Sequence, residues 1–259
     1  MLIDRRAREH FRTFGFVVIR RAFDAGALCD EVDRALHDGS RGTFQSAVAR
    51  GRYVPMMGER TPVSLGLLDQ FTPVAADLLG APVLPVRAKC VRYAGSTGWH
   101  SDSDRPLDSI GFAAYLEALD AGNGALRVLP GSHRPEFIGA LREHDLSDDV
   151  DAVPGFVVAS EPGDVIVLDE HLYHASDGGV ARRQWRVDYV IDPVGEAQEA
   201  AVLAFYAAVY PADWDGGYDA DAYPTYGRSW LESGRPYLRR LTDLGAHAAA
   251  TAQEAGARR

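Results

Sequence analysis

The chain has 259 residues, of which 46% are hydrophobic and 25% are charged, a composition that excludes disordered and collagen-like classes. Its formal net charge of −10 argues against a general nucleic-acid binder, because phosphate contacts need a basic surface. We therefore expect a small-molecule partner.

Two further classes are disfavoured by the sequence. No apolar run approaches the roughly 20 residues that span a bilayer, and no apolar stretch follows the charged start MLIDRRAREH, so we expect no membrane segment and a cytoplasmic location. Cys29 and Cys90 are the two cysteines, too few for a disulfide framework or a cysteine-ligated zinc site.

The first part of the chain predicts helices and one short strand. We predict a helix over residues 3–14, a strand over 16–19, and a helix that begins after Asp24 and runs to about residue 37. Residues 41–62 contain Gly, Arg and Pro without a clean period. We interpret them as a functional loop or lid that covers a pocket mouth.

From residue 83 onward, short apolar segments alternate with turn sequences such as GNG, PGS, EPGD and DGG. This pattern is typical of an antiparallel sandwich or jelly roll, because the helices between segments are too few for βαβ units. Helices are predicted again at 196–209 and 236–253. With no repeat and no linker, we expect one domain over 1–259, comprising an N-terminal helical part (about 1–80), a jelly-roll core (about 83–192) and a C-terminal helical tail (about 196–259).

The sequence GWHSD at 98–102 holds the first candidate for chemistry. His100 and Asp102 are two residues apart, so on an extended backbone they point to the same side. His174 lies on another predicted strand. Two histidines and one carboxylate form the facial triad of non-haem Fe(II) oxygenases, which leaves positions open for a cosubstrate and O2.

Three nearby residues offer the same donor atoms but are not expected to bind metal. Asp104 lies further along the chain beside Arg105-Pro106, where a strand should end. His171 is three residues before His174 and so falls on the opposite strand face. His133 follows a turn and is expected to face solvent.

Three motifs in this order resemble the phytanoyl-CoA dioxygenase-like branch of the Fe(II)/2-oxoglutarate-dependent oxygenases. The resemblance spans roughly residues 5–192, and its motifs are WHSD at 99–102, GNGALRVLPGSHR at 122–134 and PGDVIVLDEHLYHASDGGVARRQW at 162–185. It implies a mainly β fold with flanking helices, a double-stranded β-helix of the cupin-like jelly-roll type. The cofactors that it implies are Fe(II), with 2-oxoglutarate and O2 as cosubstrates.

The resemblance also implies roles for individual residues. His100, Asp102 and His174 would be the iron ligands and so the catalytic residues. Arg183 would bind the distal carboxylate of 2-oxoglutarate, together with Ser176. Tyr115 takes the place of an aromatic residue, often tryptophan in the family, that lines the cosubstrate pocket. Lys89 falls on a strand that faces this pocket, or else is a strand-edge lysine.

The alternation of side chains along a strand favours one of two arginines as the partner of the cosubstrate carboxylate. In RQWRVDYVI, Arg183 shares a face with Trp185, Val187 and Tyr189, whereas Arg186 lies on the other face. The face of Arg183 is the more apolar, so we interpret it as the barrel interior, where a buried arginine needs an anionic partner. In the alternative register Arg183 faces solvent and the anchor moves to Arg186.

The resemblance leads us to expect an enzyme that hydroxylates or otherwise oxidises a small molecule while 2-oxoglutarate becomes succinate and CO2. By analogy alone, we expect it to act in small-molecule or natural-product biosynthesis. One alternative is a non-catalytic cupin-like ligand-binding module. Another is a zinc hydrolase, which would need a nearby general base and has no need for a buried arginine.

Overall fold

The computed structural model describes residues 3–46, 49–143, 146, 150–208 and 217–248. A seven-stranded sheet has the order β1-β9-β6-β11-β4-β3-β2, a four-stranded sheet has the order β5-β10-β7-β8, and the strand pairs are antiparallel. Helices flank the sheets, which confirms the predicted jelly-roll class.

The strands are β1 (Phe16–Ile19), β2 (Phe44–Gln45), β3 (Arg50–Pro55), β4 (Val83–Tyr93), β5 (Thr97–His100), β6 (Ser109–Tyr115), β7 (Leu126–Val128), β8 (Phe156–Val158), β9 (Val165–Asp169), β10 (His174–Ser176) and β11 (Arg182–Ile191). The helices are α1 (Arg5–Phe14), α2 (Ala25–Asp38), α3 (Pro62–Leu79), α4 (Pro135–Glu143), α5 (Glu196–Ala208), α6 (Arg228–Leu231) and α7 (Pro236–Leu244).

The first elements form where the sequence predicts them. The Asp4 carboxylate accepts a hydrogen bond from the Ala7 N–H and so caps α1, which ends at Gly15 with φ of 80°. Asp24 caps α2 in the same way through the Gly26 N–H. β1 then pairs with β9 at the edge of the larger sheet, which confirms the predicted strand over 16–19.

The segment 41–62 contains two strands, so the prediction that it is an irregular loop is wrong. β2 and β3 form a hairpin, and β3 pairs along β4 with Val54 opposite Cys90. Val54 is fully buried, whereas Arg50 and Arg52 are exposed. Glycine is needed at Gly51, where a Cβ atom would lie 2.5 Å from a β4 carbonyl oxygen. The arginines and the glycine therefore hide the alternation of buried and exposed residues that is typical of a strand. Residues 47–48 lie outside the described residues.

The helix α3 covers the outer face of the larger sheet. The Trp185 Nε1–H donates to Ser64 Oγ at 2.7 Å, and the Tyr189 hydroxyl donates to the Leu68 carbonyl at 2.6 Å. Both aromatic side chains of β11 are fully buried beneath the helix. The apolar face of β11 thus packs on α3, and the polar face of the strand points between the two sheets.

The C-terminal part contains helices in both predicted ranges, 196–209 and 236–253. Of these ranges, residues 209 and 249–253 lie outside the described residues. The hydroxyls of Tyr206 and Tyr226 donate to the carbonyl oxygens of Pro85 and Val86, which ties this part to β4. The helices α3, α4 and α6 are not among the individually predicted elements. None of the described helices combines the length and apolarity that a membrane crossing requires. The division into one domain with three parts stays a prediction.

Candidate metal centre and cosubstrate pocket

The two histidines of the candidate triad meet across the smaller sheet. His100 ends β5 and His174 begins β10, and the two residues are direct register partners. Their ring centroids lie 4.3 Å apart. The Nδ1–H of His100 donates to the Gly98 carbonyl at 2.8 Å, and that of His174 donates to the Leu172 carbonyl at 2.9 Å. Each Nε2 therefore keeps its lone pair for a ligand.

Asp102 completes the cluster from the loop that follows β5. Its Oδ1 lies 3.7 Å from His100 Nε2, and its Oδ2 lies 3.4 Å from His174 Nε2. One donor atom from each of the three residues can be chosen so that all lie within 4.8 Å of one another, and this is the one such group of three or more in the described ranges. The structure thus brings together the three residues singled out as metal ligands.

The protonation states suit a divalent cation. Burial lowers the pKa of His174 to about 4, so its imidazole is neutral near pH 7. Burial alone would raise the pKa of Asp102, but the Arg186 guanidinium and the two imidazoles outweigh that effect and hold this pKa well below its ordinary value. Two imidazole nitrogens and one carboxylate are a donor set that fits a divalent first-row metal.

A cavity of about 210 Å³ opens between the sheets at the triad. Ser176 and Tyr115 line it, as the resemblance implies for cosubstrate residues. Ser176 pairs with Thr97 on β5, and Tyr115 lies opposite Gln184 of β11. Lys89 lines the same cavity, and burial lowers its pKa to about 7.

Arg183 does not reach this cavity, so its predicted placement is wrong. Its Nε donates to Glu117 Oε1 at 2.5 Å, and its Nη1 donates to Asp33 Oδ2 at 2.6 Å, on the outer side of the sheet. The choice of the apolar face as the interior failed because α3, rather than the opposite sheet, covers the face that Arg183 shares with Trp185.

The neighbouring Arg182 faces the cavity instead, and sequence reasoning missed it. Its side chain is 3% exposed, and Nη1 and Nη2 donate to the carbonyl oxygens of Gly124 and Gly95 at 2.9 and 2.8 Å. Its buried Nε has no hydrogen-bond partner, and within the described ranges no carboxylate forms an ion pair with it. The guanidinium also lies 5.4 Å from the centre of the Tyr93 ring. Because a buried charge without a carboxylate partner is unfavourable, Arg182 is a candidate site for an anion.

Arg186 also points inward, but carboxylates surround it. Nη1 donates to Asp102 Oδ2 at 2.8 Å, Nη2 donates to Glu170 Oε1 at 2.9 Å, and Nε is hydrogen-bonded to Asp188. Asp188 is also bonded to Arg87 of β4. Arg186 is therefore already neutralised by the protein, in contrast to Arg182.

The three residues expected not to bind metal lie elsewhere. Asp104, His133 and His171 line a separate cavity of about 640 Å³. His171 uses both ring nitrogens, one with Asp169 Oδ1 at 2.9 Å and one with the Arg105 carbonyl at 2.6 Å. A ring with both nitrogens engaged has no lone pair to offer a metal.

Comparison with known proteins places the sequence in a family. Residues 11–183 match the family described as phytanoyl-CoA dioxygenase (PhyH). No curated protein sequence matches the chain.

Solved structures share the fold at low sequence identity. EctD from S. alaskensis, in its apo form, is 21% identical with a TM-score of 0.59, over 73% of this chain and 78% of that one. HygX from Streptomyces hygroscopicus, solved with nickel and 2-oxoglutarate bound, is 19% identical with a TM-score of 0.59, over 73% and 87%. SnoN, a non-haem alpha-ketoglutarate-dependent epimerase from nogalamycin biosynthesis, is 18% identical with a TM-score of 0.57, over 71% and 80%.

Proposed function

Since the chain belongs to the phytanoyl-CoA dioxygenase family, we propose that it is an Fe(II)- and 2-oxoglutarate-dependent oxygenase that oxidises a small molecule. One observation carries the proposal: a His-Asp-His cluster and a buried arginine without an anionic partner face the same cavity. A metal ligand set alone would suit many functions. The added anion site is what a dicarboxylate cosubstrate requires.

His100, Asp102 and His174 would hold the Fe(II). The chemistry that Fe(II), O2 and 2-oxoglutarate supply when bound is oxidation of a substrate C–H bond coupled to conversion of 2-oxoglutarate to succinate and CO2. The protein orients the ligands through the backbone carbonyls that fix both histidine tautomers. Burial of His174, which is 5% exposed, would limit the access of water to this side of the site.

We assign the distal carboxylate of 2-oxoglutarate to Arg182 in place of Arg183. The Arg182 guanidinium is fixed by two carbonyl oxygens and keeps a buried, unpaired Nε–H. The hydroxyl groups of Ser176 and Tyr115 line the same cavity and would add neutral hydrogen bonds. A carboxylate at this position would give the buried arginine the counter-charge that it lacks.

The substrate side of the cavity would be its mouth near the β2–β3 hairpin. Phe44, Ser46 and Ala49 of this hairpin contribute to the lining. We propose hydroxylation or a related oxidation in small-molecule biosynthesis. SnoN, with the same fold, is an epimerase, so the fold alone does not set the outcome.

An anaerobic titration tests the proposal. The protein loaded with Fe(II) is titrated with 2-oxoglutarate, and a visible metal-to-2-oxoglutarate charge-transfer band is expected, as is succinate release once O2 is admitted. His174→Ala should abolish both. His133→Asn, which changes a histidine outside the cluster, should retain them. Metal binding without the band and without succinate would favour a ligand-binding module, and hydrolysis by a zinc-loaded protein would favour a hydrolase.

A further inference from the structure

The arginine nearest to the metal ligands is buried among three carboxylates. Arg186 is 4% exposed, and its guanidinium donates in three directions, to Asp102, Glu170 and Asp188. Only Asp102 belongs to the metal ligand set. The other two carboxylates come from beyond the end of β9 and from β11 itself, and both are 1% exposed.

The sequence leaves room for this guanidinium on the neighbouring strand. Gly111 of β6 lies opposite Asp188, and a Cβ atom there would lie 2.5 Å from Arg186 Nη2 and 3.0 Å from its Cζ. Any side chain at this position would therefore push the guanidinium away. Glycine is required here by the close approach of Arg186 rather than by the backbone, because its φ is not in the left-handed region.

The contact with Asp102 restricts how that carboxylate can turn. Asp102 follows β5 in a loop, whereas Arg186 lies in the middle of β11, between β4 and β6. With Oδ2 bonded to Nη1 at 2.8 Å, rotation of the carboxylate is limited, and Oδ1 remains the oxygen without a bond to the guanidinium. A planar guanidinium with fixed N–H directions is suited to this task, whereas an ammonium is not.

We propose that Arg186 is a positioning residue for the metal ligand Asp102. Glu170 and Asp188 accept hydrogen bonds from the guanidinium and fix its position, and Arg87 in turn fixes Asp188. The guanidinium then holds the Asp102 carboxylate in place before metal binds. This inference rests on the proposed metal site. It assigns the two inward arginines of β11 to different tasks, with Arg182 for the cosubstrate anion and Arg186 for the ligand carboxylate.

Cobalt(II) binding in the absence of 2-oxoglutarate tests the proposal without relying on activity. The apoprotein is titrated with cobalt(II), and affinity and the visible ligand-field spectrum are recorded. Arg186→Lys keeps a positive charge beside the buried carboxylates but loses the planar guanidinium, whose N–H groups point in fixed directions. Because substitutions behind a metal ligand typically weaken binding about tenfold to a hundredfold, we expect a loss of that size and a changed spectrum. The control, Arg183→Lys, makes the same replacement outside the cavity and should bind cobalt as the parent does.

Two further measurements do not depend on the folding of Arg186→Lys. Gly111→Ala displaces the guanidinium without altering a charge, and we expect weaker cobalt binding together with a lower melting temperature, because buried ion pairs are disturbed. A cooperative thermal transition above the assay temperature shows that this variant is folded when cobalt binding is measured. A crystal structure of the cobalt-loaded parent should show Nη1 still bonded to Asp102, and a guanidinium more than 4 Å from that carboxylate would overturn the proposal.

The outcomes separate this inference from the proposed function. If the parent fails to bind cobalt at the triad, the proposed function fails with it. If the parent binds cobalt and a folded Arg186→Lys protein has the same affinity and spectrum, Arg186 is only a counter-charge and the inference is wrong. If cobalt binding is unchanged but 2-oxoglutarate binding weakens, Arg186 is instead the cosubstrate anchor.

Discussion

Two adjacent arginines offer a matched test of the cosubstrate site. We predict that Arg182→Lys raises the dissociation constant for 2-oxoglutarate, whereas Arg183→Lys leaves it unchanged. Both substitutions keep the charge and remove the planar fork. They differ in which face of β11 is altered, because Arg182 lines the cavity and Arg183 pairs with Glu117 and Asp33 outside it.

The expected size of the effect follows from the contacts. Lysine at 182 would lose the two bonds to backbone carbonyls that orient the cation, and it could not present two parallel N–H groups to a carboxylate. A hydrogen bond to a charged group is worth about 1.5 to 3 kcal/mol, so the dissociation constant should rise about tenfold to a hundredfold. The ion pairs of Arg183 are partly exposed to solvent, and their loss should cost at most about 1 kcal/mol of stability.

Anaerobic calorimetry with manganese(II) in place of iron measures this constant without turnover. Metal affinity is determined separately for each variant, so that a lost metal is not mistaken for a lost cosubstrate. Thermal unfolding checks that both variants fold. If Arg183→Lys weakened 2-oxoglutarate binding and Arg182→Lys did not, the assignment of the inner face of β11 would be wrong.

Three further predictions concern other parts of the molecule. Because Asp102 fills the third protein position of the proposed metal site, we expect no chloride to bind in that position, and product analysis in chloride buffer should find no chlorinated product from the parent protein. Trp185→Phe removes the buried bond to Ser64, and urea unfolding should show a loss of about 1 to 3 kcal/mol with metal affinity retained. The folded-state pKa of His174, about 4, lies below the ordinary value of 6.5. Its contribution to apoprotein stability should therefore be full above pH 6.5 and fall, by about 3 kcal/mol, as the pH drops through 4; a His174→Asn protein that kept the same slope between pH 6.5 and 4 would contradict this.

The His-Asp-His cluster could be predicted from local geometry together with the motifs that resemble the family. A histidine and an aspartate two residues apart share a side of an extended chain, and His174 lies on a second segment with strand character. Turn sequences between short apolar segments likewise predicted the jelly roll. Neither the His-Asp spacing nor the turn pattern depends on which helix or sheet covers a given strand face.

The segment 41–62 shows where such local rules fail. The sequence of β3 places arginine at the exposed positions 50 and 52 and glycine between them, so its period is hard to distinguish from that of a loop. Its partner β4 supplies the pairing that makes it a strand. This pairing joins residues more than 30 positions apart, and no local pattern indicates it.

The prediction of which face of β11 points into the cavity failed for a different reason, and that reason bears on the proposed anion site. An apolar strand face packs wherever apolar cover exists, and here α3 provides that cover from outside through Ser64 and Leu68. The inward face can then be charged, provided that the charges are compensated within the low-dielectric interior. Arg186 and Arg87 meet this condition with carboxylates of the protein itself, whereas the partners described for Arg182 are neutral, namely two carbonyl oxygens and the Tyr93 ring. The polarity of a single strand therefore cannot reveal which side holds the cavity, but the balance of charges around each inward arginine supports the proposal that Arg182 binds a carboxylate from outside the chain.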